Sequence, residues 1–444
     1  MATSSSGNPR KPALRSKRTA PAGGPAAKTA TATRTAPVSK TATVGSGKKP
    51  SLFERGIVLL EGSRRSATGS SYYTILGSAL ALTAIGLMMV LSASSVESIA
   101  ASAGASTGGT TFDLFIKQTM FAAVGLVVML GLSRVGPRAY KRLSWVLLAI
   151  AFVLLVLVLF IGKEVNGNKN WIELGPVTGQ PSEAAKLAMA IWFAAVLSNK
   201  GRLIGQWKHA LLPVVPGGVL LMGLVMAGSD LGTVIIMGMI MVAALFFAGA
   251  PLRFLTVLVA AAGAAAALMS LLSGNRTSRI SAWLNLDDCA SGLCDQANAG
   301  MYALASGGWL GVGIGQSRQK WSWIPEAHND FIFAIIGEET GLLGTLLVIL
   351  LFGILAVATV RMTMRHTDPF IRIVCGSILV WIIGQASVNI AMVTGLLPVI
   401  GVPLPFISYG GSSLTFTLAA VGVLLSFARK VPEAKLSESE PSVP

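Results

Sequence analysis

Ten apolar runs, each about as long as a lipid bilayer is thick, limit what this 444-residue chain can fold into more than any other feature. They cover 72–92, 114–132, 143–161, 183–197, 210–227, 231–247, 254–273, 331–360, 370–393 and 412–427. A helix needs roughly 17–25 residues to cross the hydrocarbon core. Inside that core every backbone N–H and C=O must find its partner within the protein. The runs therefore predict an all-α polytopic membrane protein with about ten transmembrane helices. Composition agrees, with 53% hydrophobic and 12% charged residues, against about 25% charged in ordinary globular domains.

The formal charge of +16 invites a nucleic-acid partner, but 13 Lys/Arg fall within 1–70 against two acids, Glu54 and Glu61. The basicity belongs mostly to a tail, and no nucleic-acid partner is expected. That tail is rich in Ala, Thr, Ser, Pro and Lys and lacks apolar periodicity, so 1–70 reads as disordered. The stretch 431–444 reads the same way, which leaves 71–430 as the membrane domain. A basic juxtamembrane segment either binds anionic head groups or simply fixes topology. No short apolar region with a cleavage site precedes the first run, so no removable signal peptide is expected. Between the helices, loops on the tail's side hold eleven Lys/Arg, from Arg134 to Arg372, and the opposite loops hold six, from Lys163 to Lys320. By the positive-inside rule both termini are predicted to be cytoplasmic.

Three polar stretches gather on the outer side. The long loop 274–330, between the seventh and eighth helices, carries Trp283, Trp309, Trp321, Trp323 and the pattern SGGWLGVGIGQS, and it ends on Glu326, His328 and Asp330. The second, KNWIELGPVTGQPSEAAKLAMA at 169–190, places Gln180, Ser182 and Glu183 at the entry to the fourth helix and Lys186 one turn in. Ser182 is the expected N-cap there. The third, 394–413, is uncharged, rich in Pro and Gly, and contains Ser408 and Gly410. Irregular backbone at membrane depth survives only when buried in protein or lining a cavity, so this loop is expected to fold inward as a wall of the site.

Charge inside a spanning helix is costly and needs a partner. Glu338 and Glu339 in the eighth helix are expected to be neutralised by Lys186, in a structural ion pair joining the fourth and eighth helices. Glu183 and Lys186, at i and i+3, also suit a pair within one helix. Asp330, at the mouth of a polar, aromatic-lined cavity, suits a general base or a cation ligand, with His328 as a supporting hydrogen-bonding group. Cys289 and Cys294 face the outside, where a disulfide between them and two free thiols both remain open. Neither the cysteines nor His209, His328 and His366 have the spacing of a zinc site.

Six motifs occur in order: LSAS at 91–94, NWIELG with QPSEAAKLA within 170–188, SDLGT at 229–233, RISAWLN at 279–285, PEAHNDFIFAIIGEETGLLG at 325–344 and GLLPVIGVPLPFISYGGSS at 395–413. Together they resemble the SEDS family (shape, elongation, division and sporulation) of membrane glycosyltransferases that polymerise peptidoglycan. PEAH, IGEE and IGKEVNGNKNW resemble its division type more than its elongation type. The resemblance covers nearly everything from Tyr72 to Arg429.

It implies that Asp330 is the essential aspartate, acting directly or with a divalent cation, Mg or Mn, to activate the C4 hydroxyl of an acceptor lipid II. That oxygen would attack C1 of the donor sugar and release undecaprenyl diphosphate, turning the α link into a β-1,4 bond. A diphosphate leaving group needs positive charge nearby, for which Lys320, Arg279, Lys186 and Lys169 are the outer candidates. No organic cofactor is implied. The implied partners are a class B penicillin-binding protein and other divisome proteins at the septal membrane, with the active site on the extracellular side. Three positions depart from the family pattern: Asn170 where a basic residue often stands, Ser322 where an acidic one does, and SDLG for PDLG, with Asp230 retained. The rival readings are a lipid II flippase or transporter, which would use the intramembrane charges as a pathway, and a non-catalytic divisome scaffold.

Overall fold

The computed structural model describes residues 67–104, 112–165, 168–174, 177–271, 283–284, 293–319 and 328–429. Most of the basic tail, the segment 431–444, Arg279, Cys289, the side chain of Cys294, Lys320, Trp321, Trp323 and Glu326 lie outside the described residues. The helices are α1 (Ala67–Gly104), α2 (Asp113–Leu132), α3 (Pro137–Ile161), α4 (Pro181–Ser198), α5 (Trp207–Leu211), α6 (Val214–Ala227), α7 (Leu231–Ala248), α8 (Leu252–Leu271), α9 (Leu293–Ser306), α10 (Ile332–Arg365), α11 (Pro369–Val393) and α12 (Gly411–Ala428). The protein is a polytopic, nearly all-helical membrane protein, and among the described residues nine segments are long and apolar enough to span.

The predicted fourth run is not among those nine. It forms α4, a largely buried helix packed against α3, α7 and α11. Its charged first turn keeps its mean hydropathy low, and protein rather than lipid surrounds it. The predicted fifth run divides at Pro213 into α5 and α6, because proline lacks the N–H that a continuous helix needs. The predicted long loop 274–330 contains a helix of its own, α9. Between α3 and α4 a small antiparallel sheet runs β1 (Lys163–Val165), β2 (Asn168–Leu174) and β3 (Val177–Gly179). Lys169 N–H donates to Gly228 O at 3.1 Å, which ties β2 to the end of α6.

Burial sorts the remaining helices into interior and periphery. The α12 span is 83% buried whereas the α8 span, Leu252–Met269, is 6% buried. Peripheral helices turn Val127, Val153, Phe160, Val257 and Leu350 outward, as a lipid-facing surface requires. Segments of the bundle meet closely where glycine allows it. A Cβ on Gly422 of α12 would stand 2.6 Å from Met129 O of α2, and one on Gly86 of α1 would stand 2.4 Å from Phe406 O.

The long helix α10 is broken at Gly341, where φ is 67° and ψ is −165°. A side chain there would meet Gly311 N at 2.4 Å, and only glycine takes that left-handed backbone without strain. The break frees backbone groups that the SGGWLGVGIGQS segment then satisfies. Val312 and Gly313 N–H donate to Glu338 and Glu339 O at 2.9 and 3.1 Å, and Leu342 and Leu343 N–H donate to Gly308 and Trp309 O at 2.9 and 3.3 Å. The glycine pattern is thus a mating surface for a broken helix.

Candidate active site

The uncharged loop 394–413 does fold inward. Leu404, Phe406 and Ile407 are all buried, and side-chain amides on the surrounding helices satisfy the loop's backbone. Gln385 of α11 donates to Pro403 O at 2.9 Å. Gln118 of α2, fully buried, donates to Ser408 O and accepts from Gly410 N, each at 3.2 Å. Ser408 Oγ accepts from Leu404 N at 2.7 Å and so serves the loop's own turn.

Asp330 stands two residues before α10, half-buried, with its carboxylate against this loop. A Cβ on Gly401, whose φ is +76°, would lie 3.3 Å from Asp330 Oδ2. Asn389 of α11 fastens the two segments together, its Nδ2 donating to Asp330 O at 2.8 Å and to Val402 O at 2.7 Å. On the other flank Tyr409 N–H donates to His328 O at 2.9 Å, and the Tyr409 and His328 rings meet edge to face at 5.4 Å. His328 therefore supports the loop at Asp330's side.

The entry to α4 closes the same end of the bundle. Gln180 Nε2 donates to Asp230 Oδ2 at 3.0 Å, and Gln180 N–H donates to Ser412 Oγ at 3.1 Å. Asp230 in turn caps α7 by accepting from Thr233 N at 2.9 Å. The three polar stretches of the sequence thus meet through one loop. The expected cap at Ser182 does not form. Gln180 is the N-cap residue and Pro181 occupies the first helical position, which suits proline because that N–H has no helical partner anyway. Ser182 is the second helical residue, buried, and among the described residues its Oγ has no hydrogen-bond partner.

The expected ion pair of Lys186 with Glu338 and Glu339 is corrected by the structure. Lys186 Nζ lies 2.7 Å from Glu183 Oε2 on its own helix, and both side chains are 2% exposed. It also donates to Gln385 Oε1 at 3.1 Å and sits 5.2 Å from the Trp381 ring centre. One turn of helix brings Glu183 to it without any interhelical reach. Buried and paired, Lys186 is a structural cation rather than an open diphosphate ligand. Lys169 Nζ reaches back to Phe160 O at 3.3 Å.

Glu338 and Glu339 are held by hydrogen bonds. Glu338 accepts from Ser317 Oγ at 2.5 Å and from Arg318 N–H at 2.9 Å. Ser92 Oγ lies 2.6 and 2.8 Å from the two Glu339 oxygens and joins α1 to α10. Ser92→Ala should therefore cost about 1–3 kcal/mol, the penalty for removing a donor from a buried acceptor. Chemical unfolding in detergent would check it.

Sequence reading missed Gln118, Gln385 and Asn389. The available signal was one amide in α2 and two, four residues apart, in the largely apolar α11. Among the described residues no three His, Cys, Asp or Glu side chains stand together. One carboxylate beside substrate phosphates still fits the way Mg²⁺ is commonly bound.

The sequence profile of the FtsW/RodA/SpoVE family, described as "Cell cycle protein", matches residues 73–433. The chain is 41% identical over 367 residues to the probable peptidoglycan glycosyltransferase FtsW of Mycobacterium tuberculosis, covering 82% of this chain and 69% of that one. It is 37% identical over 354 residues to the stage V sporulation protein E of Bacillus subtilis, covering 79% and 94%. Among solved structures it resembles a peptidoglycan synthase complex described as coordinating polymerization and crosslinking, with a TM-score of 0.66 at 26% identity over 80% of this chain and 97% of that chain. It also resembles the rod shape determining protein RodA of Thermus thermophilus, with a TM-score of 0.59 at 25% identity over 81% and 97%.

Proposed function

The chain belongs to the FtsW/RodA/SpoVE family of cell cycle proteins, and on that basis we propose that it is a peptidoglycan glycosyltransferase of the division type. It polymerises lipid II at the outer face of the septal membrane, and both termini are cytoplasmic. The observation that carries this reading is the setting of Asp330. A half-buried carboxylate is fixed where the entry to α10 meets the inward loop 394–413, its backbone held by Asn389 and its side chain against Gly401.

In the mechanism, Asp330 takes the proton from the acceptor C4 hydroxyl as that oxygen bonds to C1 of the donor sugar, and the donor's diphosphate leaves with the lipid. A divalent cation, where bound, would neutralise the diphosphate, with Asp330 as its protein ligand. The loop 394–413 sets the distance between base and acceptor. Its buried amide bonds hold it rigid, which favours the sub-ångström positioning such a step needs. A crosslinking transpeptidase, a class B penicillin-binding protein, is the partner this activity calls for, alongside other divisome proteins.

Reconstitution with lipid II and the partner tests the activity. Glycan polymer with release of undecaprenyl diphosphate is the expected product. Lipid II crossing between leaflets without polymer would replace this reading with transport. Within the site, Gly401→Ala should lower polymerisation more than folded yield, because the methyl group would sit 3.3 Å from Asp330 Oδ2 on a backbone with φ of +76°. Initial rates at matched folded concentration would show it.

A further inference from the structure

The cavity between α1 and α10 lies away from the site built around Asp330. It has a volume of about 360 Å³ and is lined by Ser71 and Thr74 on α1 and by Leu350, Gly353, Val357 and Arg361 on α10. The α10 positions fall at i, i+3, i+7 and i+11, one face of a helix. From Leu350 to Arg361 that face runs about 16 Å, close to one leaflet of a hydrocarbon core roughly 30 Å thick. It is apolar along its length and polar at one end.

The polar end is cationic. Arg361 Nε is buried and, among the described residues, has no hydrogen-bond partner. A buried donor without an acceptor is costly, so an anion at this end would be stabilised. This end lies at the membrane face where the α1 span begins and where α10 and α12 finish. Arg429 Nη2, just past α12, donates to Tyr72 Oη at 2.9 Å on the same side. The segment 1–66, with 13 Lys/Arg against two acids, precedes α1 in the sequence, and such a basic stretch concentrates anionic lipid.

Gly353 marks the groove as built space. It interrupts the interior of α10, where glycine is the least favourable residue apart from proline, and an added Cβ would meet nothing within 4 Å. Among the described residues, packing against a neighbouring helix does not explain its small size.

We propose that this groove binds an anionic glycerophospholipid, one acyl chain lying along α10 over Gly353 and the phosphate accepting from Arg361. A single transmembrane helix from a partner would fill the apolar length. It would bring no acceptor for Arg361, because its own backbone is already satisfied.

The test is native mass spectrometry of the full-length, delipidated protein titrated with phosphatidylglycerol, phosphatidylcholine and soluble glycerol phosphate. Wild type should retain one phosphatidylglycerol in preference to phosphatidylcholine and should not bind glycerol phosphate. Arg361→Gln should reduce the preference for phosphatidylglycerol about fivefold, the contribution of one basic residue facing anionic lipid. Gly353→Phe, which fills open space and suits a helix better than glycine, should abolish retention of both lipids while the protein stays folded. Equal phosphatidylglycerol retention by wild type and both variants would overturn the proposal. So would binding of glycerol phosphate as tight as that of the lipid, which would point to a soluble anion.

Discussion

Replacing Lys186 with Met should destabilise the helix bundle by about 3–5 kcal/mol, the usual cost of removing one partner from a buried ion pair. Glu183 would then be a carboxylate with 2% exposure and no cation, and Gln385 and Trp381 would lose the charge they surround. Replacing both members, Lys186→Met with Glu183→Leu, should recover most of that loss, because apolar residues of similar volume commonly match a buried pair in stability. Gln385 keeps its bonds from Trp381 Nε1 and to Pro403 O in the double variant, so the loop 394–413 should remain seated. Thermal and denaturant unfolding of the three proteins in one detergent measures both effects. A single variant as stable as wild type would mean that the pair does not hold α4 in the core.

Asp330→Asn should reduce lipid II polymerisation by about 10²–10⁴-fold, the range contributed by a positioned general base. The substitution nearly preserves shape. The bond from Asn389 goes to the backbone carbonyl of residue 330 and not to the carboxylate, so the seam between α10, α11 and the loop should survive. Stability should stay within the small range typical of changes outside a packed core. Steady-state rates and unfolding midpoints, measured on the same preparations, would separate the loss of chemistry from the loss of fold. A fall in both together would make Asp330 a structural residue.

Run length made the spans readable from sequence, because a bilayer imposes one length on every helix that crosses it. The inward loop was readable for a related reason. A segment such as 394–413 with no charge and several prolines has nowhere to place its backbone groups except inside the protein. What holds that loop was hidden. Gln118 meets Ser408 and Gly410 across about 290 positions of sequence, and a lone amide in an apolar helix does not announce its partner.

The same limit explains Glu338 and Glu339. Sequence shows that two carboxylates need compensation and offers Lys186 as the nearest buried cation. The actual compensation depends on the break at Gly341, which lets the 307–319 segment approach closely enough for Arg318 N–H and Ser317 Oγ to reach Glu338. Ser92 reaches Glu339 from a helix 247 positions earlier. The cap was misplaced by two positions, since Pro181 takes the first helical position and leaves Gln180, not Ser182, as the cap.

The most direct test of Asp330 as the reacting carboxylate is a paired measurement on Asp330→Asn: lipid II bound per molecule and glycan polymer formed, with the transpeptidase partner present and folded protein matched to wild type. Binding close to wild type with polymer nearly absent is the result expected if the carboxylate takes the acceptor's proton. Polymer formed at the wild-type rate would remove Asp330 from the chemistry and contradict the mechanism.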